Sequence, residues 1–235
     1  MPVAPLRNDV RQYERLAGEW WRPNGAFAML HWIAAARAAL VPEASRPGAV
    51  LVDLGCGAGV LAPHVAPRGY RHVGVDLVSV SLVQAREHDV TPVRADVRAL
   101  PLADSCADVV CAGEILEHVV HPSTVVAEAC RILRPGGTLV FDTINATRVG
   151  RFVAVTLAEL VANVAVKGIH DPALFVSPRV VVNECARHGV NLTVRGIRPA
   201  AAQMLRWLVI RRGDVRIVPT RSTAVLYQGW GVKEG

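Results

Sequence analysis

Residues Val50-Leu51-Val52-Asp53-Leu54-Gly55-Cys56-Gly57-Ala58-Gly59 place an acid inside a short apolar run, with three glycines at alternate positions after it. The run predicts a buried parallel strand that turns into a helix through a loop almost free of side chains. Without Cβ atoms, such a loop lets a ligand lie directly on the backbone. The acid beside it can hold an amino or hydroxyl group. Together they suit a nucleoside carrying an amino-acid tail, and S-adenosylmethionine is such a molecule. Asp53, Gly55, Gly57 and Gly59 are therefore candidate cofactor residues.

The glycines alone also fit the loose dinucleotide fingerprint, read as Gly57-x-Gly59-x-x-Ala62. A nicotinamide-dependent oxidoreductase is thus the competing reading. A second strand-like run, His72-Val73-Gly74-Val75-Asp76, ends in an acid suited to a ribose diol in either case. The run Val93-Arg94-Ala95-Asp96-Val97 carries a further acid suited to an adenine amino group, which makes Asp96 and Val97 candidates. Leu133-Arg134-Pro135-Gly136-Gly137-Thr138-Leu139-Val140 reads as a helix end, a tight turn and a new strand. This order of acids and turn over residues 49–143 resembles the class I S-adenosylmethionine-dependent methyltransferases. The resemblance implies an α/β, Rossmann-like fold, a mostly parallel doubly wound sheet with helices on both faces.

The elements that must position these residues alternate along the chain. Strands are expected near 49–54, 71–76, 91–95, 107–112 and 137–143, and helices near 58–68, 79–88 and 122–134. Strands separated by helices need a parallel sheet with covered faces. Ligands of such sheets sit at the C-terminal strand ends, where Gly55, Asp76, Asp96 and Gly113 would converge. Residues 1–48 read as a helical cap broken at Trp21-Arg22-Pro23-Asn24-Gly25, with a loop at 41–48. The cofactor core spans 49–145 and a lid insertion 146–176. The rest of the same sheet domain spans 177–235, with a helix near 178–188 and β-like runs near 190–197, 215–219 and 224–227.

Within the lid, Glu159, Asn163 and Lys167 recur every four residues in an otherwise apolar stretch, 149–169. That spacing predicts one amphipathic helix, serving as a core helix, as a lid, or as a surface that touches membrane lipid. Arg148, Arg151 and Lys167 flank it and suit anionic head groups.

The whole chain narrows the classes further. Its 235 residues allow one domain with a sizeable core, and 51% hydrophobic against 20% charged residues is a globular balance. The net charge of +6 comes mostly from Arg, without a dense basic run or an aromatic series, so no nucleic-acid partner is expected. The five cysteines are odd in number and lack metal spacing, which suits reduced thiols in a cytoplasmic protein. No secretory leader is expected from residues 1–10, and no apolar run is long enough to span a bilayer.

A narrower resemblance rests on Tyr13-x-x-x-Ala17-x-x-Trp20-Trp21 and on Gly25-x-Phe27-x-x-Leu30-His31-x-Ile33-x-x-x-Arg37. Glu114-Ile115-Leu116-Glu117-His118-Val119 and Lys167-Gly168-Ile169-His170-Asp171 with Phe175-x-x-Pro178 agree with it. Over residues 10–180 the chain resembles the ubiquinone-biosynthesis O-methyltransferases, which methylate a phenolic hydroxyl on a catechol-like ring. The resemblance implies that Arg37, Gly55, Asp76 and Gly113 contact S-adenosylmethionine, and that Glu114, Glu117 and His118 hold a divalent cation. The chain departs from the family pattern at Trp32-Ile33-Ala34-Ala35, at Arg198-Pro199 and at Ala224-Val225-Leu226.

A phenol has a pKa of about 10, so its proton must be removed or weakened before methyl transfer. A divalent cation, Mg²⁺ or Zn²⁺, or a histidine base can do this. On one helical turn Glu114, Glu117 and His118 would share a face and suit a cation. Equally, Glu114 and His118 could cap the turn with Glu117 in a surface ion pair. His118, His121 and His170 are the candidate bases. Carbon or nitrogen methylation of a small molecule is the alternative chemistry. The partner expected is a small phenolic acceptor, with peripheral membrane contact through 149–169.

Overall fold

The computed structural model describes residues 7–161 and 165–235. Eight strands form one sheet: β1 (Val50–Leu54), β2 (Arg71–Asp76), β3 (Thr91–Arg94), β4 (Ala107–Gly113), β5 (Leu133–Ile144), β6 (Val190–Pro199), β7 (Ile217–Thr220) and β8 (Leu226–Lys233). Their order is β3-β2-β1-β4-β5-β8-β6-β7. The first five strands run parallel, while β8 enters antiparallel between β5 and β6, and β7 runs antiparallel on β6. The order reverses between β1 and β4, and a crevice opens at such a switch point.

Nine α-helices accompany the strands among the described residues: α1 (Arg11–Arg15), α2 (Ala28–Ala38), α3 (Ala62–Val65), α4 (Ser79–Glu87), α5 (Pro122–Ile132), α6 (Arg148–Arg151), α7 (Ala158–Leu160), α8 (Pro178–Arg187) and α9 (Ala201–Ile210). Strand β4 is buried through Ala112 and apolar apart from Asp108, which pairs with Arg46 and Arg134, because both sheet faces are covered. One face packs Val52, Val110 and Phe141 against Val125, Ala129 and Val181 of α5 and α8. The other packs Leu51, Val109 and Val140 against Trp20, Phe27 and Ala34 of the N-terminal segment.

Several expected boundaries move. The helix expected over 58–68 shrinks to α3 and a single tighter turn, because Pro67 removes a backbone donor and an α-helix cannot run through it. Strand β5 starts at Leu133, so Pro135-Gly136-Gly137 is an irregularity within it: Leu133 pairs with Ala107 while Thr138 already pairs with Val109. Helix α9 occupies a stretch with no element expected between the β-like runs. Its Trp207 is buried edge-on against Trp32, 5.1 Å between ring centres, and donates to Asn24 Oδ1 at 3.0 Å.

The single amphipathic helix expected over 149–169 does not form. Helical turns run from Arg148 to Leu160, widened over 152–157, and the chain is extended at Val161. Asn163 lies outside the described residues, and Lys167 falls beyond the helix end. The β-branched Val153, Val155 and Thr156 favour a helix weakly. Tertiary contacts take over instead: Ala154 is buried beside Ile33 and Phe175, and Glu159 pairs with Arg7 at 2.9 Å.

Candidate active site

The C-terminal ends of β1, β2 and β4 open into a cavity of about 680 Å³, within the roughly 300–1,000 Å³ usual for ligand pockets. Asp53, Gly55, Gly57 and Asp76 line one end of it, with Asp96, Val97, Gly113 and Arg37. Gly55 and Gly57 adopt φ of +70° and +52°, a left-handed backbone that side chains disfavour. A Cβ on Gly57 would also lie 2.5 Å from the Trp20 ring. Gly59 does not line the cavity. It lets the loop pack on α4, where a Cβ would meet Ala85 at 3.2 Å.

Asp76 stands at the end of β2, facing this loop. Its carboxylate accepts from the Gly57 N–H at 2.9 Å and the Val78 N–H at 2.8 Å. Burial pushes its pKa up and these N–H groups hold it back. Asp96 sits at the rim, one third exposed, and Arg98 grips its carboxylate at 2.6 Å, keeping its pKa low. Its carboxylate is thus already paired with a cation. Val97 beside it is buried and apolar.

Arg37 and Gly113 form one unit with Asp142, which sequence inspection missed. Arg37 of α2 donates to both Asp142 oxygens, at 2.7 and 2.8 Å, and both side chains are buried. A Cβ on Gly113 would fall 1.6 Å from the Arg37 guanidinium carbon. Gly113 is thus required by the arginine lying across it. A buried ion pair with bidentate geometry is the arrangement in which the charges best offset their lost hydration.

At the reactive end the expected trio rearranges. Glu117, His118 and His170 bring their ligand atoms within 4.8 Å of one another, and Glu114 is not part of that group. The cause is local: Glu114 takes φ +51°, and a tight turn over Leu116–His118 replaces the helical turn assumed from the spacing. Glu117 is fully buried rather than in a surface ion pair, and accepts from the Thr143 hydroxyl at 2.7 Å. Burial raises its pKa to about 7. Burial, then the nearby Glu117 and Asp142, pushes the Glu114 pKa well above the ordinary carboxylate range. His118 and His170 stack with ring centres 5.4 Å apart. Burial lowers their pKa values to about 3 and about 4.

Both imidazoles are therefore neutral near pH 7, with lone pairs available. His170 Nδ1 is buried without a hydrogen-bond partner among the described residues, and the Glu117 carboxyl lies against that of Glu114. This donor set fits a divalent cation. Two imidazoles and one carboxylate suit Zn²⁺ or Mn²⁺ better than Mg²⁺, which prefers oxygen ligands. His121 does not join the group: it is exposed ahead of α5, outside the cavity. Cys56, Cys111, Cys130 and Cys185 are buried and Cys106 half-buried, and none forms a disulfide.

Residues 52–141 match the methyltransferase-domain family. The ubiquinone biosynthesis O-methyltransferase of Burkholderia pseudomallei is 32% identical over 199 residues, covering 81% of this chain and 86% of the relative. That of Hahella chejuensis is 36% identical over 188 residues, covering 75% and 79%. The chain belongs to the ubiquinone-biosynthesis O-methyltransferase family. A solved S-adenosylmethionine-dependent methyltransferase of Thermotoga maritima shares the fold, with TM-score 0.67 and 19% identity over 95% of this chain and 99% of that one.

This methyltransferase uses S-adenosylmethionine, which sets aside the nicotinamide reading of the glycine loop. The loop and Asp76 fit that cofactor as a side-chain-free cradle beside a carboxylate. The chain's departures from the family pattern reach the cavity too: Ile33, Arg198, Pro199, Val225 and Leu226 all line it. No helix among the described residues is long and apolar enough to cross a membrane.

Proposed function

We propose that this methyltransferase methylates a phenolic hydroxyl of a small catechol-like acceptor, assisted by a divalent cation held by Glu117, His118 and His170. The observation that carries this is the convergence of two half-buried, neutral imidazoles and a buried carboxylate at the cavity wall. The names of the relatives support a hydroxyl acceptor. A phenol also fits the site: the Tyr13 hydroxyl of the protein itself lies 3.4 Å from His118 Nε2.

Magnitudes choose between cation and base. An imidazole with a pKa of about 3 is a poor proton sink for a phenol of about 10. His118 then serves as a cation ligand and does not carry off the hydroxyl proton. When bound, the cation would supply the positive charge that makes the hydroxyl acidic enough to release its proton to water. Asp53, Asp76 and the glycine loop hold the cofactor, and Arg37 on Asp142 fixes the floor between the two ends. Met29, Leu30, Leu157, Met204 and Leu208 make the remaining wall apolar, suited to an acceptor with a hydrocarbon tail. The departures at Ile33, Pro199 and Leu226 favour an acceptor whose substituents differ from those of the relatives' substrates.

The test incubates the protein with isotope-labelled S-adenosylmethionine and a panel of catechols and hydroxyquinols, with chelator and with Zn²⁺, Mn²⁺ or Mg²⁺ restored. Mass spectrometry locates the label. Oxygen methylation lost with chelator and restored by metal is expected. Label on carbon or nitrogen overturns the phenol assignment, and a rate indifferent to chelation overturns the cation.

A further inference from the structure

We infer that Asn8 is a positioning residue that fixes His118 in its Nδ1–H tautomer, so that the Nε2 lone pair faces the cavity; the inference rests on the site proposed above. Asn8 grips His118 at two points. Its Nδ2 donates to the His118 backbone oxygen at 2.9 Å, and its Oδ1 lies 2.7 Å from the His118 ring Nδ1. The first contact decides the second. A backbone carbonyl only accepts, so the amide nitrogen of Asn8 must face it. The amide oxygen must then face Nδ1, and an oxygen without a proton can only accept. Nδ1 therefore carries the hydrogen, and in a neutral imidazole Nε2 keeps its lone pair.

The chain holds Asn8 in place for this. Its φ is +58°, a left-handed conformation that asparagine tolerates better than most residues. Its N–H donates to the Gly168 carbonyl at 3.1 Å. Arg7 beside it donates to the His170 carbonyl at 2.9 Å and pairs with Glu159. Gln12 Nε2 reaches the Gly168 carbonyl at 3.3 Å. One N-terminal strap thus anchors both histidines, through His118 directly and through the backbone around His170. The Tyr13 hydroxyl, kept protonated by burial, is a donor and matches an accepting Nε2. A lone pair at Nε2 is what either an acceptor hydroxyl or a cation requires. With the opposite tautomer Nε2 would present a hydrogen, which excludes a cation and forces a hydroxyl there to accept instead of donate.

The decisive measurement is made on apo protein carrying ¹⁵N-histidine, by long-range ¹H–¹⁵N correlation, with the His118 signals assigned through His118→Gln. Wild type should show a protonated Nδ1 and a bare Nε2. Asn8→Ala should lose that preference, and Asn8→Asp, which keeps an acceptor for Nδ1–H, should retain it. Turnover of Asn8→Ala should fall about tenfold to a hundredfold, as for outer partners of a ligating histidine, with S-adenosylhomocysteine affinity unchanged. A protonated Nε2 in wild type, or an unaltered tautomer in Asn8→Ala, overturns the inference. The spectra need neither metal nor acceptor. If no phenol is ever methylated the proposed function falls, while the tautomer result still decides the role of Asn8.

Discussion

At the cofactor end of the cavity, Asp53, Gly55, Asp76 and Gly113 stand on the adjacent strands β1, β2 and β4 or immediately after them. At the reactive end, Asn8 meets His118 across 110 residues of chain, and Arg7 meets the His170 carbonyl across 163. The first group converges because parallel strands in register end together. The second converges only when the N-terminal strap and the segment after the lid close on each other. Substitutions at the strand ends should therefore disturb stability or cofactor affinity, while those at the closure should disturb chemistry in a folded protein.

The largest effect expected is at the boundary between the two. Arg37→Met leaves the fully buried Asp142 carboxylate unpaired, and breaking a buried pair typically destabilises by about 3–5 kcal/mol. Urea denaturation measures this, and Arg37→Met/Asp142→Leu should recover much of the loss. A single-variant loss below about 1 kcal/mol would show that the pair is not framework.

Glu117→Ala should come next, reducing methyl transfer by more than the roughly 10–100-fold typical of outer-shell changes around a metal. Cofactor affinity, read by calorimetry, should hold. If binding and turnover fall together, the two ends are not separable as described. Asp76→Ala has the reverse signature. Two charged hydrogen bonds of roughly 1.5–3 kcal/mol each imply at least a tenfold weaker S-adenosylhomocysteine complex. Gly55→Val should also lose binding, because a side chain there would strike Ile115 and strain a left-handed backbone.

A pH effect separates the ends more finely. Glu117 in the metal-free protein titrates at about 7, and its proton competes with a cation. Cation affinity should therefore rise as pH increases towards 7, by up to about tenfold per unit, and level off above it. His118 and His170, at about 3 and about 4, add nothing over that range. A flat affinity from pH 6 to 8 would remove Glu117 from the ligand set. The smallest effect concerns the lid. Phe152 and Leu157 are about half exposed beside Arg148 and Arg151, and each basic residue near an anionic surface contributes about 1 kcal/mol. Partial co-sedimentation with anionic vesicles is expected, weakened by salt and by Phe152→Glu/Leu157→Glu. Wild type that stays in the supernatant at low salt makes this segment a lid alone.

The order of acids and glycines from Asp53 to Gly113 was readable directly, since each lies in or just after a short, largely apolar run and parallel packing does the rest. The aromatic block from Tyr13 to Phe27 and the Lys167–Asp171 segment carried the family by resemblance of their motifs, not by periodicity. Helix α9 was not readable, because no side chain caps its start and its buried Trp207 finds partners in Trp32 and Asn24 far back in the chain. The metal-capable group was half readable. Glu117 and His118 were local, but exchanging Glu114 for His170 depended on a left-handed turn at Glu114 and on the strap across the cavity. Asp142 looked like any strand residue until Arg37 was found folded onto it. Sequence by itself determined the sheet, its cofactor edge and the residue types available for chemistry, since these follow from local periodicity and backbone geometry. Which of those residues meet, and which imidazole nitrogen faces the cavity, was decided only by tertiary structure, because burial and long-range hydrogen bonds set charge and tautomer.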